Sequence, residues 1–449
     1  MTTDKRVKQA IRFREEEVGR LMWLTNSAES ATIIGISGVG KSNLFHHLLD
    51  PATQQHYLGD KANNYIFVRV NFHYAPDFTS RTTYSLIIEQ FELLDEHTAR
   101  YNLPSDAITR ISQYHDRLLA AGDDLLMVQR QFKLAVHEIL RHSERKLIFL
   151  FDQFDHLYRS ADPRLFANLR GLREAYKYRL CYFVFTRNSL LAMGELDRAR
   201  DEFYELLAAN VIGLKTYSPT DSLHMLLRVA KRNQLTLKKE YLPILLMLTG
   251  GHAGLLRATY LAMVKDQVSI TTHYSRRENF ERLLAHDNVE AECEKIWTGL
   301  TLEEQELLAD LVANRPIKTN TLAFTHLQLK GILTADATPT LFAILFSLYI
   351  DKLRNIRERI IKIDPITRTI SIAGKRTRLK AFQFHVFKLL YEHTGQIVSH
   401  DDIIRVGTPQ ISAENFALRM SNLIHLIEPN PQNPQYIEKV GSMGYRLQD

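Results

Sequence analysis

Apolar and polar positions change period several times along the chain, and the changes mark its elements. Residues 31–34, 65–72 and 180–185 are short strand-like runs rich in β-branched and aromatic residues, and 147–151 is continuously apolar. Such runs predict strands buried on both faces. Between them, apolar residues recur at three- and four-residue intervals, predicting helices over 43–49 and near 82–96, 103–121 and 125–142. Strand and helix in alternation predict an α/β fold with a parallel sheet covered on both sides. Residues 11–25 also have helical spacing and lead into the first strand, either as a packing helix or as a cover for whatever binds beside it.

From Ser218 the pattern is helical throughout, with Pro219-Thr220-Asp221 as a helix start. Residues 245–257 read as a helix, a glycine-rich stop and a new helix, a turn that could bring His252 or Arg257 over a bound ligand or could be a plain connection. A compact block begins near Trp297: a helix at 302–308, another ending at Gly331, a short strand, and an apolar helix over 341–353. That order predicts a small winged-helix-like module. The last block has strands at 361–364 and 369–374, helices at 381–393, 400–405 and 413–427, and a terminal hairpin at 436–447. This is the order of a helix-turn-helix with a β-wing.

One loop carries recognisable chemistry. Gly35-Ile36-Ser37-Gly38-Val39-Gly40-Lys41-Ser42 matches the pattern G-x-x-x-x-G-K-[ST], between a predicted strand and a predicted helix. Glycines let successive N–H groups turn inward toward phosphate oxygens, and the helix adds its positive N-terminal end. Gly35, Ser37, Gly38, Val39, Gly40, Lys41, Ser42 and Asn43 are therefore the candidate cradle, with Lys41 on the β- and γ-phosphates and the Ser42 hydroxyl on Mg²⁺. The run 147–151 ends in Asp152-Gln153-Phe154-Asp155, and an aspartate at the C-terminal end of a buried parallel strand lies where open α/β sheets bind ligands. Asp152 is the expected second metal residue. Gln153 can orient a water but cannot accept its proton, which leaves Asp155 as the candidate base. Arg187, after the run 180–185, would sense the γ-phosphate or be a surface cation. Arg164, Arg170 and Arg173 lie on a helical stretch, solvated or reaching a neighbouring subunit.

Composition narrows the class without fixing it. The chain has 449 residues, 45% hydrophobic and 24% charged, as expected for several globular domains. No apolar run is long enough to span a bilayer, the first residues mix charges, and two cysteines suit a reducing cytoplasm. A net charge of +6 permits nucleic-acid binding.

Together the phosphate loop, residues 147–155 and Thr186-Arg187 resemble the STAND NTPases, signal-transduction ATPases related to origin-recognition-type AAA+ proteins. Asp152-Gln153-Phe154-Asp155-His156-Leu157 looks like their D-Q-F-[DE]-E-L signature, and Thr249–Gly254 resembles their G-x-P region with Ala253 in place of proline. Residues 361–449 resemble the winged-helix domain of OmpR/PhoB-type response regulators. Leu379-Lys380-Ala381-Phe382-Gln383-Phe384, Gly395-Gln396-Ile397-Val398-Ser399 and Gly441-Ser442-Met443-Gly444-Tyr445-Arg446-Leu447 carry that likeness. The recognition-helix segment 416–427 departs from it, with one arginine and many aliphatics, of which Leu423, Ile424, Leu426 and Ile427 exceed one buried stripe. Arg376, Arg378, Lys380, Lys439 and Arg446 are the cations that could reach DNA phosphates instead.

The resemblances imply four parts: a P-loop NTPase domain (1–215), a helical lid (216–290), a winged-helix-like domain (291–355) and an OmpR/PhoB-type winged helix (356–449). They imply an ATP- and Mg²⁺-dependent switch with slow hydrolysis, assembling into a homo-oligomer and acting on duplex DNA or a protein partner in transcription, signalling or prokaryotic defence. A replication-initiator-like DNA-loading ATPase and a scaffold with structural nucleotide are the alternatives.

Overall fold

The computed structural model describes residues 11–448 except 98–99, 102, 105, 142–143, 194–196, 269–275, 337, 356–360, 373–374, 408–412, 429, 433, 435 and 442. Several expected features touch residues outside that set: Ser442 of the wing turn, the boundary at 355/356, the end of the strand expected at 369–374, and residues 105 and 142 of the helices expected at 103–121 and 125–142. The chain forms two compact units, residues 1–300 with 318–349, and residues 301–317 with 350–449.

The first unit is organised on five parallel strands, β1 (Ala31–Ile34), β2 (Tyr65–Asn71), β3 (Lys146–Asp152), β4 (Leu180–Thr186) and β5 (Val211–Gly213), in the order β2-β3-β4-β1-β5. The expected α/β P-loop sheet is therefore present. Leu147 to Phe151 and Leu180 to Phe185 are all but inaccessible to solvent, so β3 and β4 are the central strands. Their aromatic residues set the packing. Phe149, Phe151 and Tyr182 lie 5.4–5.6 Å apart, and Phe203 comes within 5.7 Å of Tyr182. Each such ring stabilises the fold by roughly 1.5–3 kcal/mol through area removed from water.

Around this sheet run α1 (Glu15–Ser27), α2 (Lys41–Leu49), α3 (Pro51–Leu58), α4 (Ser80–Glu92), α5 (Ala107–Ala120), α6 (Leu125–Leu140), α7 (Phe154–Ser160), α8 (Pro163–Ala175) and α9 (Arg198–Ala208). Helices α10 (Pro219–Arg232), α11 (Tyr241–Thr249), α12 (Ala253–Val264), α13 (Arg276–Leu284) and α14 (Asp287–Thr298) follow. The start expected near Pro219 is capped by Ser218, whose hydroxyl accepts the Asp221 N–H. Gly250 and Gly251, at φ 56° and 76°, make the stop between α11 and α12.

The second unit begins with α15 (Leu302–Val312), capped by a Thr301–Glu304 box. The first unit resumes with α16 (Leu322–Leu329), closed by Gly331 at φ 67°, and the short strand expected next is one bridge between Leu333 and Leu341. After α17 (Ile344–Asn355), the second unit holds an antiparallel sheet, β6 (Ile361–Asp364), β7 (Thr369–Ile372) and β8 (Lys375–Arg378). Then come α18 (Ala381–Glu392), β9 (Ile397–Ser399), α19 (His400–Gly407), α20 (Ala413–Ile427) and the hairpin β10 (Ile437–Val440) and β11 (Gly444–Leu447), with β9 paired to β11. On α20, Phe416, Met420, Leu423 and Ile427 are buried in this unit's own core and Ile424 packs against it. Of the four aliphatics read as surplus from the sequence, only Leu426 stays exposed; Leu418, earlier on the helix, is exposed as well.

Gly213 ends β5 against the last turn of α16, so closely that a Cβ would meet the Leu329 carbonyl oxygen at 1.8 Å. We expect Gly213→Ala to lower stability by about 1–3 kcal/mol through overpacking, read as a drop in thermal midpoint by circular dichroism. An unchanged midpoint would contradict this packing of α16 on the sheet edge.

Candidate nucleotide-binding site

The strand order places three functional segments side by side. The loop after β1, Arg187 after β4 and Asp152 at the end of β3 lie at one edge of the sheet, with β4 between the other two strands. Gly38 and Gly40, at φ 76° and 106°, are conformations that a side chain would strain. A Cβ on Gly40 would also lie 2.3 Å from the Tyr217 hydroxyl, and one on Gly38 2.7 Å from the His252 ring. The loop runs into α2, whose first-turn N–H groups have no intrahelical partner.

The loop's carbonyls are held from outside. Lys41 Nζ donates to Gly35 O at 2.5 Å and Ile36 O at 3.1 Å, His252 Nε2 lies 2.8 Å from Ser37 O, the Gly254 N–H meets Gly38 O at 2.9 Å, and Arg14 Nη2 reaches Val39 O at 2.7 Å. Held this way, the loop backbone is fixed; the Gly35 N–H is given to Thr186 O and the Val39 N–H to Ile36 O, and the remaining N–H groups of the glycine-rich turn suit an anion nest.

The clamps other than Lys41 come from well outside the motif. Arg14 has left-handed backbone (φ 49°), its side chain is buried, pairs with Glu17 and stacks 4.7 Å from the Tyr217 ring centroid. Tyr217 accepts a hydrogen bond from Asn43 Nδ2 at 2.8 Å. His252 is the N-cap of α12, with Nδ1 accepting the Leu255 N–H, so Nε2 carries the proton given to Ser37 O. Full burial pushes its pKa down to about 4, and the ring is neutral. Arg257, the other residue expected at this turn, points to solvent. Glu292 of α14 packs on the same turn, where a Cβ on Gly254 would meet its Oε2 at 2.1 Å.

The charged residues form a second cluster. Burial pushes Lys41 down to about 8, opposed by the nearby Asp155 and Asp152 and reinforced by Arg187. Asp152 Oδ2 accepts from Arg69 Nη2 at 2.6 Å. Asp155 is buried, and its two oxygens take the Arg187 N–H at 3.0 and 3.3 Å. Gln153 has φ 57°, and its Oε1 lies 3.4 Å from Arg187 Nη2. Ser42 is exposed at the mouth of the loop. Asn188 links this edge to α16: its Oδ1 takes Lys330 Nζ at 2.5 Å and its Nδ2 reaches Gly299 O at 3.0 Å. On α8, Arg170 pairs with Glu174 and Glu205 and Arg173 is buried, so only Arg164 is left exposed there.

No protein family matches the chain, and no curated protein does. Among solved structures it is similar to the Walker-type ATPase of Pyrococcus abyssi, with 14% identity, 76% of this chain and 96% of that one covered, and a TM-score of 0.45. It is similar also to the ORC2 protein of Aeropyrum pernix in its ADPNP-ADP complexes (14%, 79% and 96%, 0.43) and to the ORC1 protein of that organism in complex with DNA (14%, 79% and 96%, 0.39). At these identities the site is read from the chain's own residues.

Those residues suit a nucleotide. The glycine cradle, the first-turn N–H groups of α2 and an ammonium resting on two carbonyls match phosphate oxygens, and the hydroxyl of Ser42 with the carboxylate of Asp152 is a hard-oxygen pair suited to Mg²⁺. Arg14, Arg69, Tyr217 and Glu292 are the residues that sequence reading missed. Arg14 had a partial signal in the helical segment before β1; Tyr217 and Glu292 meet the loop, and Arg69 meets Asp152, from remote parts of the chain and carry no local pattern.

Because His252 titrates near 6.5 when unfolded and about 4 when folded, the unfolded state binds more protons between those values. Its contribution is full above pH 6.5 and is lost as pH falls toward 4. We expect urea unfolding of the wild type to lose as much as about 3 kcal/mol more than His252→Asn across that window. Parallel pH profiles would contradict the buried neutral histidine.

Proposed function

We propose that the protein is an ATP-dependent molecular switch that binds ATP and ADP at this loop and turns ATP over slowly. The observation that carries the reading is Lys41: an ammonium with three donors rests on only two loop carbonyls, at the N-terminal end of α2. A phosphate would supply the missing acceptors and restore the charge that burial disfavours. Gly35, Ser37, Gly38, Val39, Gly40, Lys41, Ser42 and Asn43 hold the phosphates in this proposal, with His252 fixing the loop from its outer side. Ser42 and Asp152 would hold Mg²⁺, which neutralises phosphate charge when bound.

Gln153 orients the attacking water. Asp155, with its carboxylate on the Arg187 N–H, fixes the end of β4 instead of acting as the base proposed from sequence, and Arg187 faces the terminal phosphate. With Asp152 engaged by Arg69 and Asp155 by the Arg187 N–H, proton removal from that water is poorly served and hydrolysis is slow.

Phosphate on the loop's N–H groups and the clamps from Arg14 and α12 on its carbonyls act on the same loop, so nucleotide state sets the lid, residues 216–290, and through it a homo-oligomer. The four-part division of the chain and the winged-helix assignments of 291–355 and 356–449 belong to this proposal. So does a cytoplasmic setting, consistent with the finding that, among the described residues, no helix is long and apolar enough to cross a membrane. The output is a contact of residues 356–449 with a protein partner or duplex DNA. A replication-initiator-like DNA-loading ATPase is the second reading. Arg376 is ion-paired to Glu303 and Glu306 and Arg446 to Glu438, leaving Arg378, Lys380 and Lys439 as exposed cations for phosphate.

Calorimetry should find tight nucleotide binding in the wild type and none in a folded Lys41→Ala variant. Lys41 is partly deprotonated above pH 8 in the free protein and recharged by phosphate, so binding at pH 9 should take up close to about one proton per nucleotide. Turnover should stay below about 1 s⁻¹. Normal affinity in Lys41→Ala would refute the site, and fast turnover would refute the switch.

A further inference from the structure

We propose that Arg69 is the resident counter-ion of Asp152 and sets how strongly nucleotide binding depends on Mg²⁺; this rests on the nucleotide site proposed above. The placement begins with strand register. On β2, Arg69 and Asn71 share a face, and Asn71 lies opposite Asp152 on β3, so the Arg69 side chain emerges one pleat behind the carboxylate and on its side of the sheet. The ring of Phe45 on α2, buried and packed 4.3 Å from Phe185, supports the guanidinium at 4.3 Å from its centroid. That position suits a cation–π contact. Its Nη2 then reaches Asp152 Oδ2 at 2.6 Å, while its Nε is buried without a hydrogen-bond partner. The ring and the carboxylate fix this side chain.

The consequence is electrostatic. Mg²⁺ is held in such sites by one or two carboxylates plus phosphates and retained waters. Here the carboxylate already carries a positive partner, which cancels part of its attraction for a dication and repels that dication at close range. Metal binding therefore competes with the Arg69–Asp152 pair, and nucleotide affinity rests on the loop, α2 and Lys41. Removing the guanidinium charge exposes an unneutralised carboxylate beside the phosphates, which repels nucleotide until Mg²⁺ is added. Arg69 is a positioning residue in this account.

The test compares ADP affinity, by calorimetry, in EDTA and in millimolar MgCl₂ for the wild type, Arg69→Met and Arg69→Lys. Methionine keeps the apolar contact with Phe45 and loses the charge; lysine returns the charge. The expected wild-type affinities differ by less than about threefold, Arg69→Met becomes dependent on Mg²⁺ by about tenfold or more through weaker binding in EDTA, and Arg69→Lys returns toward the wild type. A wild type dependent on Mg²⁺ by about tenfold or more, or an Arg69→Met profile that matches the wild type, overturns the proposal. The wild-type comparison decides alone if the methionine variant does not fold. Absence of ADP binding by the wild type in both buffers overturns the nucleotide site itself, a result distinct from normal binding with the wrong metal dependence.

Discussion

Five consecutive loop carbonyls, from Gly35 to Val39, each accept a hydrogen bond from Lys41, His252, Gly254 or Arg14, and the rest of the site depends on that arrangement. A loop this rich in glycine has many conformations to lose, and a backbone fixed in one of them costs about 1–2 kcal/mol per residue in entropy. The clamps offset that cost from outside, so the N–H groups are already aimed when a phosphate arrives. Two of the clamps come from the segment before β1 and the turn before α12, which ties loop geometry to the position of the helical segment after residue 216.

Charge burial explains the second layer. Lys41 is depressed toward pH 8 by desolvation, Asp152 is engaged by Arg69, and Asp155 is spent on the backbone of Arg187. No group in this cluster is idle. Anything anionic that enters meets a cation whose charged form it stabilises, whereas a metal ion meets a carboxylate that already has a partner. Anion binding and metal binding are therefore separable properties of the site.

The sheet and the loop were legible in sequence because both are local. Runs such as 147–151 have a period that only a doubly buried strand explains, and G-x-x-x-x-G-K-[ST] is a contiguous backbone device. Strand β5, three residues long, and β8, composed of Lys375-Arg376-Thr377-Arg378, have no apolar run and escaped that reading. Residues 397–399, outside every strand expected from the sequence, pair as β9 with β11. The clamps escaped for another reason: Tyr217, Glu292 and Arg69 act through contacts that the fold alone brings together. For Leu423 and Ile427 the helical pattern was right and the inference of a second apolar face was too strong, since the unit's own core takes both.

The central claim is that the lid turn and the phosphate loop form one hydrogen-bonded unit whose closure is coupled to nucleotide. Amide hydrogen exchange at Gly254, whose N–H is given to Gly38 O, measures it directly. The account predicts slow exchange at Gly254 that slows further with ADP, in step with residues 36–42. Fast exchange at Gly254 that ADP leaves unchanged while the loop becomes protected would contradict it.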